Sequence, residues 1–215
     1  MKLRPTQKIL KLFTQQGKAG FILLVLLLSG VYAYAQPSIV FLQNGPSRIY
    51  SATLNFSTVD TLIKTGLTNP DGACFSYGTG KMFWVEGGGK RPLKSANFDG
   101  TNIQIIDTFN TPGKAINPRG IAIDEFSGKL YIIGTGGYAT CNLDGSNMVI
   151  ISGKIAGRQI AINPTLGKVF YSTQNQFVFG MNADGTGDRD TIMKGAASSW
   201  GVRADLIHNK LYFSD

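Results

Sequence analysis

The sequence is poor in the residues that most often carry chemistry. Its 215 residues include one histidine and two cysteines, and only 16% are charged. A histidine-dependent nucleophile would have to use His208, which stands in a turn-like stretch before Asn209-Lys210 with no third group to orient it. His208 is therefore read as solvated surface. No Cys or His stands at ligand spacing from Cys74 or Cys141, which argues against a zinc-type site. One disulfide is arithmetically possible. The repeat described below places Cys74 on a first strand and Cys141 on a third strand of the next unit, at different radii, so two buried free thiols are favoured over a bridge.

Helical periodicity is missing too: after residue 36 no stretch keeps apolar residues three and four apart over a dozen positions, which excludes a helical solenoid. The formal charge of +8 suggests nucleic acid until the cations are located. Five of them, Lys2, Arg4, Lys8, Lys11 and Lys18, fall in the first 35 residues, where there is no Asp or Glu. Beyond residue 35 no basic cluster is longer than Lys90-Arg91 and no aromatics interleave with it, so nucleic acid is not an expected partner. Gly78-Thr79-Gly80-Lys81 is not a phosphate loop, since Phe75 stands where the first glycine belongs and Met82 replaces Ser or Thr. Gly134-Thr135-Gly136-Gly137 reads as a flexible inter-strand loop and not as a dinucleotide fingerprint, because no helical pattern follows.

What is present begins with an address. The five cations precede the apolar run Phe21 to Leu28, which ends at Ala33-Tyr34-Ala35. That layout predicts a signal peptide over 1–35, cleaved between Ala35 and Gln36, and a secreted or extracellular chain. An uncleaved anchor is the alternative, and only then would a membrane be a partner. The 27 glycines, without a collagen period, mark tight turns between short strands.

Those turns recur. Gly120-Ile121-Ala122-Ile123-Asp124 aligns with Gln159-Ile160-Ala161-Ile162-Asn163 and Gly201-Val202-Arg203-Ala204-Asp205, each followed by a Gly-Lys or Asn-Lys turn and an aromatic run. The turn lysines, Lys81, Lys129, Lys168 and Lys210, follow at intervals of 48, 39 and 42 residues. A second marker keeps step: Asn97-Phe98-Asp99-Gly100-Thr101, Asn142-Leu143-Asp144-Gly145-Ser146 and Asn182-Ala183-Asp184-Gly185-Thr186, each before an apolar run. Each unit reads as four strands. Asp99-Gly100, Asp144-Gly145 and Asp184-Gly185 are expected to be hairpin turns with positive φ, which glycine adopts freely and aspartate tolerates. Four strands in about 40 to 45 residues make one blade of a β-propeller, whose two apolar faces are hidden only by neighbouring blades. The expected fold is all-β, with domain 36–215 divided into blades at 38–63 (partial), 73–106, 120–151, 159–193 and 201–215 (partial).

The unit Gly-Ile-Ala-Ile-Asp, a Gly-Lys turn, Leu-Tyr-aromatic-Ser/Thr-Asp and a strand closing in Leu-Asp-Gly-Ser resembles the YWTD repeat, the class B repeat of low-density lipoprotein receptors. The resemblance covers residues 73–215, and more faintly 38–63. The naming motif is complete in aspartate only at Tyr212-Phe213-Ser214-Asp215; Phe83-Trp84-Val85-Glu86 carries glutamate, and Tyr131-Ile132-Ile133-Gly134 and Phe170-Tyr171-Ser172-Thr173 lose the acid. The resemblance implies a six-bladed ring, so the chain is expected to be a C-terminally truncated fragment.

Candidate sites follow from the same frame. Asp124, Asn163 and Asp205 end the first strands; they are read as turn caps, with divalent-metal ligation at a central channel as the alternative. The Asp-Gly pairs lack the oxygen spacing of a calcium loop. Trp84 and Trp200 are read as packing between blades. Asn55-Phe56-Ser57 is a glycosylation sequon. No catalytic residue, metal or cofactor is assigned, and the ligand-binding residues are unknown. The expected function is a non-enzymatic extracellular binding or scaffold module that contacts a protein or glycan; the alternative is a lactonase- or lyase-type propeller enzyme with a divalent metal.

Overall fold

Short runs of β-branched and aromatic residues between glycine turns leave no room for helices, and the described residues in regular structure are all β. The computed structural model describes residues 38–175, 177–195 and 201–214, apart from the side chains of 38 and 152–154. The expected cleavage site Ala35/Gln36, and Trp200, lie outside the described residues.

Strands β1 (Ser38–Gln43), β2 (Arg48–Thr53) and β3 (Val59–Ile63) form a three-stranded sheet in chain order. Strands β4 (Pro70–Ser76), β5 (Lys81–Glu86), β6 (Pro92–Asn97) and β7 (Gln104–Thr108) form a four-stranded sheet, again in chain order and antiparallel throughout. A hairpin of β8 (Asn110–Thr111) and β9 (Lys114–Ala115) follows. The next sheet holds β10 (Asn117–Asp124), β11 (Lys129–Asn142), β12 (Val149–Asn163), β13 (Lys168–Thr173), β14 (Phe177–Asn182) and β15 (Asp190–Lys194). Strands β16 (Val202–Asp205) and β17 (Lys210–Phe213) pair with each other.

The six-stranded sheet is two four-stranded units joined end to end, because β11 and β12 each serve twice. The first half of β11 pairs with β10 from Asp124↔Lys129 to Asn117↔Thr135, and its second half pairs with β12 from Gly137↔Ser152 to Thr140↔Val149. The second half of β12 then pairs with β13 from Gly157↔Thr173 to Asn163↔Lys168. Gly134–Gly137 is thus a bend inside a strand and not the loop expected from sequence. The register shifts between Thr135 and Gly137, and a Cβ at Gly136, which has φ +98°, would lie 2.6 Å from the Ala115 carbonyl oxygen. Lack of a side chain lets the strand turn there while it stays against its neighbour.

Alternation along each strand sends successive residues to opposite neighbours. On β10, Ile121 joins Phe83, Val85 and Leu93 of the preceding sheet, while Ala122 joins Ile160 and Val169 of the following unit. On β11, Leu130 and Ile132 go back and Tyr131 and Ile133 go forward. Each core is therefore shared between two units. Ile49 and Ile63 similarly meet Met82, Trp84 and Ala96, and Ala161 and Val178 meet Val202. At roughly 1.5–3 kcal/mol for each large buried side chain, these shared faces are the main cohesive term.

Small residues set how closely units approach. A Cβ on Gly72 of β4 would lie 2.6 Å from the Arg119 carbonyl oxygen, and one on Gly120 of β10 would lie 2.8 Å from that of Arg158. The first strands of three successive units therefore touch backbone to backbone. At the outer edge, Gly100 packs on Leu62, Gly145 on Ile106 and Gly185 on Ile151, so every Asp-Gly turn leans on the last strand of the unit before it. Only the glycines of these turns have positive φ, at +81°, +85° and +77°; the aspartates do not. The expectation of positive φ at both positions is corrected accordingly. Aspartate is useful there as an acceptor: Asp99 Oδ1 takes the Thr101 N–H at 3.0 Å and its hydroxyl at 2.6 Å, and Asp144 and Asp184 repeat the arrangement with Ser146 and Thr186.

Gly100→Ala is expected to cost about 1–3 kcal/mol, since the methyl needs both a strained φ and space held by the Leu62 backbone. Urea unfolding followed by tryptophan fluorescence would measure it, and an unchanged midpoint would refute the close approach of the units.

Candidate functional site

The residues that end the first strands are used by their own turns. Asp124 Oδ1 accepts the N–H groups of Phe126 and Ser127 at 3.0 and 3.2 Å, and its Oδ2 takes the Ser127 hydroxyl at 2.5 Å. Asn163 Oδ1 accepts the Leu166 N–H at 3.1 Å. Asp205 Oδ1 accepts from Ile207 and His208, while its Oδ2 lies 2.8 Å from His208 Nδ1. The His208 ring and amide hold Asp205 below the usual carboxylate range. The lone histidine is thus exposed but engaged, a turn partner more than free surface. Among the described residues no group of three His, Cys, Asp or Glu is placed to hold a metal ion.

A different trio is brought together at the other end of the first strands. Asp71, Arg119 and Arg158 stand immediately before Gly72, Gly120 and Gln159, the positions at which β4, β10 and β12 touch. The close approach therefore gathers one charged side chain from each of three units. Arg119 Nη1 lies 3.1 Å from Asp71 Oδ2, with both side chains part-exposed. Burial pushes Asp71 up, and the pull of Arg119 and of the more distant Arg158 only partly reverses it. Burial, then the neighbouring Arg119 cation, lowers Arg158, while Asp71 opposes the shift. Arg119 is thus paired with the carboxylate, while Arg158 feels it only at longer range. Asp71 also lines a cleft of about 710 Å³ together with Gln159, Arg203, Tyr212 and Ser214.

In an antiparallel meander, the connections between second and third strands lie at the end where first strands begin. Lys90 and Arg91 lie in that connection of the β4–β7 sheet, and Asn110 ties the β8–β9 hairpin to it through the Lys90 and Gly89 carbonyls. Arg91 Nη1 donates to the Ile116 carbonyl at 3.4 Å, and Lys114 pairs with Asp107 at 2.5 Å. Lys90, Arg91, Lys114, Arg119 and Arg158 thus surround this end, against Asp71 and Asp107. Sequence reasoning points instead to the downstream ends of the same strands. The signal that could have found the trio is the residue just before each first-strand marker, charged in three successive units.

The thiols are inert by burial. Cys74 and Cys141 are both free and both buried in one hydrophobic cluster. Loss of solvent pushes Cys141 up to about 12 and Cys74 further still. In the native protein at pH 8, neither is expected to react with an aromatic disulfide reagent, and both should react once urea is added. One fast-reacting thiol in the folded state would contradict this placement.

Trp84 is fully buried, and its indole N–H donates to Glu86 Oε1 at 2.9 Å. It packs between units and offers no stacking surface.

No family model matches the sequence. Among solved structures, the chain is similar to one in the nidogen/laminin complex, with 19% identity and a TM-score of 0.73 over 84% of this chain and 68% of that one. It is also similar to a gluconolactonase from Xanthomonas campestris, with 13% identity and a TM-score of 0.65 over 84% of this chain and 66% of that one. A virginiamycin B lyase from Staphylococcus aureus gives 12% identity and a TM-score of 0.60 over 83% of this chain and 60% of that one. The chain therefore spans 60% to 68% of the length of these structures. All three are β-propellers. The chain has their fold. At such identities the likeness extends to the fold and not to any of their activities.

Proposed function

We propose that the chain is an exported YWTD-type propeller module that binds a protein partner at the basic end of its first strands, where a partner carboxylate meets Arg119 and Arg158. The six-bladed ring of the resembled family belongs to this reading. The observation that carries it is the convergence of two guanidinium groups from neighbouring units on a part-buried place bordered by a 710 Å³ cleft. A guanidinium pair presents planar, bidentate donors to a carboxylate, and partial burial strengthens the attraction over what bulk water allows. Asp71 holds one arm of Arg119 in place and keeps the cluster from repelling itself. The similar propeller of the nidogen/laminin complex belongs to an assembly of proteins, which supports a propeller acting through a partner. The lactonase-type alternative needs oxygen ligands facing a common point, and the side chains that would supply them, Asp124, Asn163 and Asp205, are tied into their own turns.

The test uses the full-length protein, immobilised as wild type and as the double variant Arg119→Glu/Arg158→Glu. Proteins retained by the wild type, released by raised salt and missing from the variant are then purified and titrated directly. A purified partner that binds the wild type at least tenfold more tightly than the variant supports the proposal. Equal binding by both proteins, or a chelator-sensitive hydrolytic or lyase activity that survives the double variant, would overturn it.

A further inference from the structure

The turn end of the molecule, opposite the basic end, presents large apolar side chains to solvent. Each turn from a first to a second strand carries one near its tip: Tyr77, Phe126, Leu166 and Ile207 are 82%, 100%, 58% and 89% exposed. Turns are ordinarily polar, and the same departure in four successive units makes a patch rather than a scatter of single residues. Phe126 belongs to a unit with neighbours on both sides, so its exposure is not that of an open edge. The tips are also held together. Glu125 Oε1 accepts the Gly78 N–H at 2.6 Å and the Ser76 hydroxyl at 3.0 Å, which ties the Tyr77 turn to the Phe126 turn. Tyr77, Phe126, Pro164 and Leu206 line one cavity of about 520 Å³ between the first strands.

The charge here is opposite to that of the other end. The turns at this end, 53–58, 76–81, 97–102, 124–129, 142–147, 163–168, 182–190 and 205–210, hold eight acids against five lysines and arginines, and Asp99, Asp144 and Asp184 are exposed. The basic end carries Arg119 and Arg158, and its 710 Å³ cleft has Phe75, Tyr212 and Phe213 in its wall. Two turn ends brought together would set acid against acid. A turn end brought to a basic end sets acid against base and apolar tip against apolar cleft.

We infer that the turn end docks on the basic end of a second copy of this chain, so that molecules stack head to tail. This rests on the reading of the basic end given above and names its partner. The carboxylate that meets Arg119 and Arg158 comes from the Asp-Gly turns of the next molecule, while Phe126 and Ile207 bury against the wall of the cleft. Such a contact is heterologous: it uses a different patch on each copy and leaves one free face at either end of the stack.

The test is the mass of the full chain in solution, by sedimentation velocity and light scattering. Up to about 200 µM, where contacts of micromolar strength are populated, the average mass should climb past that of a dimer. It should fall when salt is raised from about 0.05 to about 0.5 M, which shortens the screening length. Phe126→Ser/Ile207→Ser removes the tips, and Arg119→Glu/Arg158→Glu reverses the other face; each should weaken self-association about tenfold or more. Mixed in equal amounts, the two variants should form a dimer and stop there, because each supplies the face that the other lacks. A wild type that stays monomeric throughout would overturn the inference, and a foreign protein still held through Arg119 and Arg158 would then leave the reading of the basic end standing. Association lost in the tip variant but unchanged in the arginine variant would mark a face-to-face pair and overturn it too. So would a mixture that stays monomeric although both variants keep the wild-type circular dichroism.

Discussion

Lys94→Met is expected to lower the unfolding free energy by about 3–5 kcal/mol, the usual cost of stranding one member of a buried ion pair. Lys94 and Glu86 lie on adjacent strands β6 and β5, both buried, with Nζ 2.8 Å from Oε1. Lys94 also donates to the Gly66 carbonyl at 2.6 Å. Glu86 Oε1 further accepts the Trp84 indole N–H, and Oε2 accepts the Thr68 amide and hydroxyl, each at 2.7 Å. This is a nearly complete set of partners for a carboxylate. Removing the ammonium leaves a charge that must either stay unpaired or take up a proton. The double variant Glu86→Gln/Lys94→Met should recover much of the loss, because neither charge then remains buried. Urea unfolding of the wild type, the two single variants and the double variant gives the coupling directly. A loss below about 1 kcal/mol for Lys94→Met would mean that water reaches the pair.

The same pair sets a pH dependence. Burial alone would raise Glu86, but Lys94, Thr68 and Trp84 outweigh it and hold the carboxyl below its ordinary value. A depressed folded value means that the unfolded chain takes up the proton first as pH falls. The contribution is therefore complete above the unfolded value, about 4.3, and is lost as pH drops through the folded one. The midpoint in urea should fall as pH is lowered below about 4.5, and Glu86→Gln should flatten that fall. An equal slope in both proteins would assign the acid sensitivity elsewhere.

Gly120→Val is expected to have the other large effect. Already for alanine, the added Cβ would sit 2.8 Å from both the Arg158 carbonyl oxygen and the Gln159 Cα. These are backbone atoms and cannot rotate away, so the first strands must part. Overpacking of this kind costs about 1–3 kcal/mol for small additions, and valine lies at or beyond the upper end. Separation of β10 from β12 would also spread Arg119 from Arg158, so partner binding should fall with stability. Gly87→Ala is the matched control. Its Cβ would meet only Asn117 Oδ1 at 3.6 Å, and the change should alter stability by less than about 1 kcal/mol. Equal midpoints for the two variants would mean that the inner strands are not in backbone contact.

Much of the architecture is legible because the repeat is written in local chemistry. A Gly-Lys or Asn-Lys turn at one end of a strand and an Asn-x-Asp-Gly-Ser/Thr turn at the other each close a hairpin with their own atoms, and such signals need no knowledge of the rest of the chain. The bend at Gly136 is hidden for the complementary reason. Glycines in a row look like a loop until a neighbouring strand is known to press on them, and the Ala115 carbonyl that does so is remote in pairing though not in sequence. His208 reads as free surface in the sequence because nothing there shows that the turn brings its ring back to the Asp205 carboxylate.

The sequence by itself determined an all-β chain of recurrent four-stranded units, since hairpin turns and strand alternation depend on neighbours a few residues apart. Only the tertiary structure decided which charged side chains meet. Asp71, Arg119 and Arg158 are separated by tens of residues, and although they hold the same place in three successive repeats, that place does not show that their side chains meet; they converge because Gly72 and Gly120 let three strands touch. Charge attracts through space and not along the chain, so such a site exists only once packing has fixed the distances.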